Sequence, residues 1–287
     1  MAKRRVQPDP RRRAELLAAV FARPEDDAPR LVMADWLTEH GDPRGEFIVL
    51  QCELARIPPG QQVQRSRALE ARVAELHRRY AASWATCLRG LKPRPQYHFH
   101  RGFMSSARFR MGAGLARLPA LLDAEPVESL ELEDLQRDLE GVRAALAHPR
   151  FDELTSLKLI AFNVEARLAE VLTAAPTLKR LRTLCFGYFG GDRAAALLAD
   201  APNLGALETL MLSYGGVTDA GARSLAQAKA LPRLIHLDLS NNLLTDAGAL
   251  ALAEARLPAL RSVNVARNGA ITSVGLSALD RRFARKS

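Results

Sequence analysis

The feature that most constrains this chain is an apolar triplet that returns every 26 or 27 residues. Its first positions are Val127, Leu154, Leu181, Leu207, Leu234 and Leu260. Each is followed at +3 and +5 by two further apolar residues: Leu130/Leu132, Leu157/Leu159, Leu184/Phe186, Leu210/Leu212, Leu237/Leu239 and Val263/Val265. A shorter, degenerate unit precedes them at Met104, Ala107 and Phe109. Six matches in one register identify a repeat architecture. The triplet run is too short for a helix and alternates like a strand, so its leucines face one side and the residues between them the other. The rest of each unit carries helical spacing, as in Ala247, Leu250, Ala251 and Glu254, and closes near Pro202, Pro232 or Pro258. A single strand and helix cannot bury their own apolar faces, so neighbouring units must stack and share one core. The expectation is an α/β solenoid, parallel strands inside and helices outside.

The unit length, together with Thr218-Asp219-Ala220-Gly221 and Thr245-Asp246-Ala247-Gly248 ahead of the helices, resembles the ribonuclease-inhibitor-like class of leucine-rich repeats. The resemblance covers roughly residues 103–280 and implies a horseshoe. The ladder asparagine of that class appears as Asn242 and Asn268, whereas Leu135, Phe162, Phe189 and Gly215 occupy its place elsewhere. Turn hydrogen bonding must differ in those units.

Upstream, Pro29–Ile48 contains Ala34-Asp35-Trp36-Leu37, Gly41-Asp42 and Arg44-Gly45-Glu46-Phe47. These elements resemble the bacterial repeat-companion domain, a short helical module found at the N-terminus of repeat proteins. The resemblance implies an architectural role and assigns no chemistry. Helices are expected from Ala14 to Phe21, from Asp26 or Asp27 through Leu37, and from an Asp42-Pro43 start through Leu54. Leu69, Val73, Leu76, Tyr80 and Trp84 form one apolar stripe of a longer helix. Tyr97–Phe109 reads as extended. The expected organisation is a basic disordered tail (1–13), a small all-α module capping the solenoid (14–100), the repeat domain (101–280) and a basic tail (281–287).

The bulk properties exclude several classes. With 48% apolar residues and no long apolar run, the chain has ample core and no membrane span. No apolar signal segment follows the basic start, and three separated cysteines, Cys52, Cys87 and Cys185, read as reduced thiols of a cytoplasmic protein. The net charge of +9 is concentrated early: residues 1–101 hold 19 Lys+Arg against 12 Asp+Glu. Such an excess attracts nucleic acid, but no aromatic residues interleave the tail charges, which favours solvated ends.

Each chemical motif has a plainer reading. His98 and His100 share one side of an extended segment but lack further metal ligands at suitable spacing. Gly112-Ala113-Gly114-Leu115-Ala116-Arg117 lacks the third glycine of a dinucleotide loop and reads as a turn. Asp35, His40, Asp42, Arg44 and Glu46 form a dense polar cluster. Acid–base catalysis there is the enzymatic alternative; caps, and an ion pair of Arg44 with Asp35 or Glu46, are the structural one. Cys52 and Cys87 lie in apolar helical runs and read as core.

The displayed face of the repeat strands is therefore the expected working surface. Its central row is Glu131, Lys158, Cys185, Met211, Asp238 and Asn264, flanked by Glu133 and its equivalents and by Asp134, Ala161, Tyr188, Tyr214, Asn241 and Arg267. Adjacent strands lie ~4.8 Å apart, which puts Tyr188 beside Tyr214 with Met211 and Cys185 next to them. Aromatic residues rimmed by charge suit protein binding. Acids gather at the early end (Glu128, Glu131, Glu133, Asp134) and Arg261 and Arg267 at the late end, a polarity that would orient a partner. The expected function is a non-catalytic scaffold that binds another protein through Tyr188, Tyr214, Met211, Cys185, Asp238, Asn241, Arg267, Glu131 and Glu133, with no cofactor or metal. Nucleic-acid binding through the basic N-terminal region is the alternative.

Overall fold

The computed structural model describes residues 9–110, 114–135, 138–162, 166–188 and 190–283. The expectations for residues 1–8, for Gly112 and Ala113, for Phe189 and for the tail from residue 284 onward lie outside the described residues. The chain divides into two compact units. One takes the chain up to Leu91 together with Gln96–Ala107 and Ala120–Val127; the other takes Lys92–Pro95, Arg108–Pro119 and everything from Glu128 onward.

The first unit begins with α1 (Pro10–Ala22), α2 (Asp27–Glu39), α3 (Arg44–Arg56) and α4 (Val63–Trp84). Helix α1 starts four residues ahead of the expected Ala14. Asp9 supplies the reason: its carboxylate accepts from the Arg11 amide at 2.9 Å, and Pro10 occupies the first helical turn. Residues 10–13, expected as disordered tail, are therefore helical. Asp26 caps α2 in the same way through the Ala28 amide, and Asp42 accepts from the Arg44 amide at the start of α3. Leu16, Val20, Met33, Ala34, Leu37, Ile48 and Cys52 from the first three helices bury together with Phe103. Helices α2 and α3 approach so closely that a side chain at Gly45 would overlap the Thr38 hydroxyl and the Ala34 carbonyl.

The expected stripe of α4 is half-buried at Leu69, Val73, Tyr80 and Trp84 and buried at Leu76. Trp84 packs on Phe47 at 4.7 Å and on Phe99 at 5.9 Å between ring centroids. Phe99 lies on β1 (Gln96–His100), which turns through Arg101-Gly102 into β2 (Phe103–Arg110). Both turn residues have positive φ, 50° and 84°, the geometry of a two-residue hairpin turn. Helix α5 (Leu118–Ala124) follows.

The second unit alternates β3 (Ser129–Glu133), α6 (Leu139–Leu146), β4 (Ser156–Ile160), α7 (Arg167–Thr173), β5 (Thr183–Gly187) and α8 (Gly191–Ala199). It continues with β6 (Thr209–Met211), α9 (Asp219–Ala226), β7 (His236–Asp238), α10 (Asp246–Ala253), β8 (Ser262–Asn264) and α11 (Ser273–Phe283). Helix α11 thus extends three residues into the expected C-terminal tail. Among the described residues of this unit, the strands β3 to β8 follow one another in chain order within the sheet. From β3 to β8 every neighbouring pair is parallel, and Leu130, Leu157, Leu184, Leu210, Leu237 and Val263 are partners in one continuous row. The strand leucines of β3 to β7 are buried, as the period requires. The residues between them are half-buried or exposed, except Ala161 and Ser240, which the expected displayed rows included and which are buried.

Successive units are joined by side chains as well as by the sheet. The Asp192 carboxylate accepts from the Thr218 amide (2.8 Å), the Thr218 hydroxyl (2.7 Å) and the Gly221 amide (2.9 Å) of the next unit. Asp219 holds Thr245 and Asp246 holds Thr272 with the same two contacts. Each aspartate thus caps the first turn of the following helix. The glycine of Thr-Asp-Ala-Gly is explained by this contact, since a Cβ at Gly221 would meet Asp192 Oδ1 at 2.5 Å and one at Gly248 would overlap Asp219 Oδ1; the equivalent Gly275 of Thr272-Ser273-Val274-Gly275 lies against Asp246 Oδ1 in the same way. Asn242 and Asn268 satisfy the turns after the strands. Asn242 accepts from the Gly215 and Val217 amides and donates to the Leu212 and Leu239 carbonyls.

Candidate functional site

The sheet register puts Glu131, Lys158, Cys185, Met211, Asp238 and Asn264 side by side, as the repeat spacing predicts. Three residues beyond this row the backbone turns left-handed. Asp134, Tyr188, Tyr214, Asn241 and Arg267 have φ between 56° and 60°, whereas Ala161 is not among the positive-φ residues. For a tyrosine this conformation costs about 1–2 kcal/mol. At the equivalent turn beyond β7 the Asn241 amide pairs with the Ala266 carbonyl at 2.9 Å. Asp238 and Asn264 each fold a side-chain oxygen back onto the amide two residues ahead, leading the strand into that turn.

The result is a file of rings. The centroids of Phe162 and Tyr188 lie 4.5 Å apart, and those of Tyr188 and Tyr214 lie 5.6 Å apart with planes 24° from parallel. Phe162 stands 43% exposed, Tyr188 45%, Tyr214 50% and Met211 37%. Phe162 is the member that sequence reasoning missed as a surface residue. It occupies the place of the buried asparagines Asn242 and Asn268, and its apolar ring instead packs outward on Tyr188. The signal was present as a departure from the repeat pattern, but a sequence does not show which way such a side chain turns.

The charges around this file are arranged differently from the expected gradient. Glu131 lies 2.8 Å from Lys158 Nζ and 3.4 Å from Arg108 Nε. Glu133 bonds Arg108 and Arg110, and Asp134 lies 3.8 Å from Arg110. Burial pushes the Glu133 carboxyl up, but the hydrogen bonds and charges of Arg108 and Arg110 outweigh it and hold the group below the usual carboxylate range. Glu131, Glu133 and Asp134 are thus compensated by their neighbours. Asp238 differs: its oxygens accept from the Ser240 amide (2.8 Å) and the Asn264 amide nitrogen (2.9 Å), both neutral donors. Among the described residues no cation pairs with it. Cys185 is half-buried, and burial raises its thiol above the ordinary value.

The other chemical candidates disperse. Arg44 pairs with neither Asp35 nor Glu46. Buried, it forms a two-pronged ion pair with the buried Glu125 (2.9 and 2.7 Å) and donates to the Gly102 carbonyl. Glu46 bonds Arg72, Asp42 accepts from the Arg44 amide, the His40 ring contacts the Trp36 carbonyl at 2.7 Å, and Asp35 is exposed. Cys52 is buried, and burial followed by the Asp27 charge pushes its thiol up to about 12; burial raises Cys87 as well. Thiols shifted in this direction remain protonated and are poor nucleophiles. His98 and His100 are exposed, and no group of three potential metal ligands occurs among the described residues. Arg56, Arg65 and Arg72 of the basic N-terminal region pair with Asp27, Glu53 and Glu46. No helix of the described residues is long and apolar enough to cross a membrane.

The Leucine Rich repeat family model matches residues 232–253 and 257–279, the stretches carrying β7–α10 and β8–α11. The chain carries leucine-rich repeats. Compared with the curated proteins, it finds no match. The matched leucine-rich repeats are those with the buried asparagines Asn242 and Asn268. The aromatic file lies upstream of them, on β4 to β6, whose residues pair in the same register.

Proposed function

We propose that the chain is a non-catalytic scaffold whose leucine-rich repeats bind another protein on the open face of the sheet, around Tyr188, Tyr214, Met211 and Cys185. Leucine-rich repeats generally mediate protein–protein interaction. The observation that carries the reading is the ring file itself: three large side chains in ring-to-ring contact, about half exposed, two of them with a backbone conformation that a tyrosine does not favour. Rigid aromatic residues at the centre of a face with a polar rim are the composition of binding hot spots. The dispersal of the Asp35–Glu46 cluster and the protonated thiols support a role without catalysis. In this reading the helical N-terminal module contributes architecture and no chemistry.

The test is capture of partners from a cell lysate by the wild-type chain and by Tyr188→Ala/Tyr214→Ala. The double variant is expected to lose capture while its Tm stays within a few degrees of wild type, because both rings stand about half exposed on the surface. Capture at wild-type level by a folded double variant sinks the assignment.

A further inference from the structure

The ring file stops at Tyr214. The next position of that row, on the chain beyond β7, is Asn241, whose short side chain cannot extend the stack. One strand on from Met211, in direct register, lies Asp238, the carboxylate whose partners are neutral. An aromatic face whose last ring stands three residues along the chain from the register partner of an acid, itself without a cationic partner among the described residues, selects a planar cation. A guanidinium stacks on a tyrosine ring and at the same time presents N–H donors to a carboxylate, which an ammonium does less well because it has no plane to stack.

We infer that the site takes an arginine side chain of the partner protein, stacked on Tyr214 and paired with Asp238. The inference rests on the proposed binding role of this face and names what it recognises. Charge complementarity is local. Glu131 and Glu133 already have Lys158, Arg108 and Arg110, so a second cation gains nothing there, whereas Asp238 gains its only cationic partner among the described residues. The net charge of +9 disfavours a uniformly basic partner, so the arginine must sit in an otherwise neutral or acidic segment. Ile160, Cys185 and Met211 lie on neighbouring strands of the same face, which suits apolar residues flanking it.

The chain has four tyrosines, which makes tyrosine-selective 13C labelling a direct probe. The full chain is titrated with the acetylated, amidated peptide Gly-Leu-Arg-Leu-Gly, with its citrulline counterpart, which keeps the shape and loses the charge, and with Gly-Leu-Glu-Leu-Gly. The arginine peptide is expected to move the ring resonances of Tyr214 and Tyr188 and to leave those of Tyr80 and Tyr97 in place. The citrulline peptide should bind roughly five-fold more weakly or worse, and Asp238→Asn should erase the preference. Absence of shifts at Tyr214, equal binding of the citrulline or glutamate peptide, or an undiminished preference in folded Asp238→Asn overturns the inference. Loss of lysate capture in Tyr188→Ala/Tyr214→Ala but not in Asp238→Asn leaves the binding face standing and removes only its choice of arginine.

Discussion

Arg44 and Glu125 form the most consequential single contact of the first unit. Both side chains are at most 5% exposed, and their pairing joins the start of α3 to the end of α5. Glu125 also accepts from the Met104 amide at 2.9 Å, and the Arg44 guanidinium lies 4.9 Å from the Phe103 ring centre. Removing one partner leaves a buried charge uncompensated, so Arg44→Leu or Glu125→Leu should cost about 3–5 kcal/mol in chemical denaturation. The pair Arg44→Leu/Glu125→Leu should recover part of that loss, but not all. It still leaves the Met104 amide without its acceptor, a deficit of about 1–3 kcal/mol. Additive single losses in the double variant would show that the two residues act independently. Sequence alone pointed Arg44 at Asp35 or Glu46 because those acids are near in the chain. The true partner is 81 residues away, and apolar periodicity carries no information on such a pairing.

At the scale of elements, the strands were legible and the links between units were not. Six triplets at constant spacing fix which residues point inward, and the observed register follows them position by position. Thr-Asp-Ala-Gly was visible as a motif, yet its meaning required the neighbouring unit: the aspartate of one repeat caps the helix of the next. Two consequences follow from the contact. Gly248→Ala pushes a methyl group into the Asp219 carboxylate and should destabilise the chain by about 1–3 kcal/mol, despite the better helix propensity of alanine. Burial raises the Asp219 carboxyl, but bonds from Thr245 and the Gly248 amide outweigh it and lower the group below its ordinary value near 3.8; the Thr272 hydroxyl chiefly lowers Asp246. A depressed carboxyl stabilises the fold above its unfolded pKa, and the contribution fades as pH falls through the folded value. Acidification from pH 5 towards pH 3, roughly the window in which these groups begin to protonate, should therefore lower Tm less in Asp219→Asn than in wild type. Parallel Tm curves for the two proteins would remove Asp219 from the acid response.

Across the repeat unit as a whole, stability is a sum of interfaces between neighbours, and a repeat with one neighbour is held by half as many. The central row shows the effect directly. Leu184, Leu210 and Leu237 are at most 2% exposed, while their register partner Val263 on β8 is only half-buried. Helix α11 likewise leaves Val274 and Leu276 exposed at 59% and 49%. Arg282 partly compensates by donating to the Ala253 and Ala255 carbonyls at 2.7 and 2.8 Å, which ties α11 to the end of α10. Amide hydrogen exchange of the full chain should therefore show protection that is highest on β5 and β6 and declines through β7 to β8 and α11, because local opening of the last repeat breaks one interface and leaves the others intact. Arg282→Ala should steepen that decline without changing exchange on β5. Uniform protection from β5 to β8 would mean that the repeats open only together, and that the aspartate links carry more of the cooperativity than the leucine core.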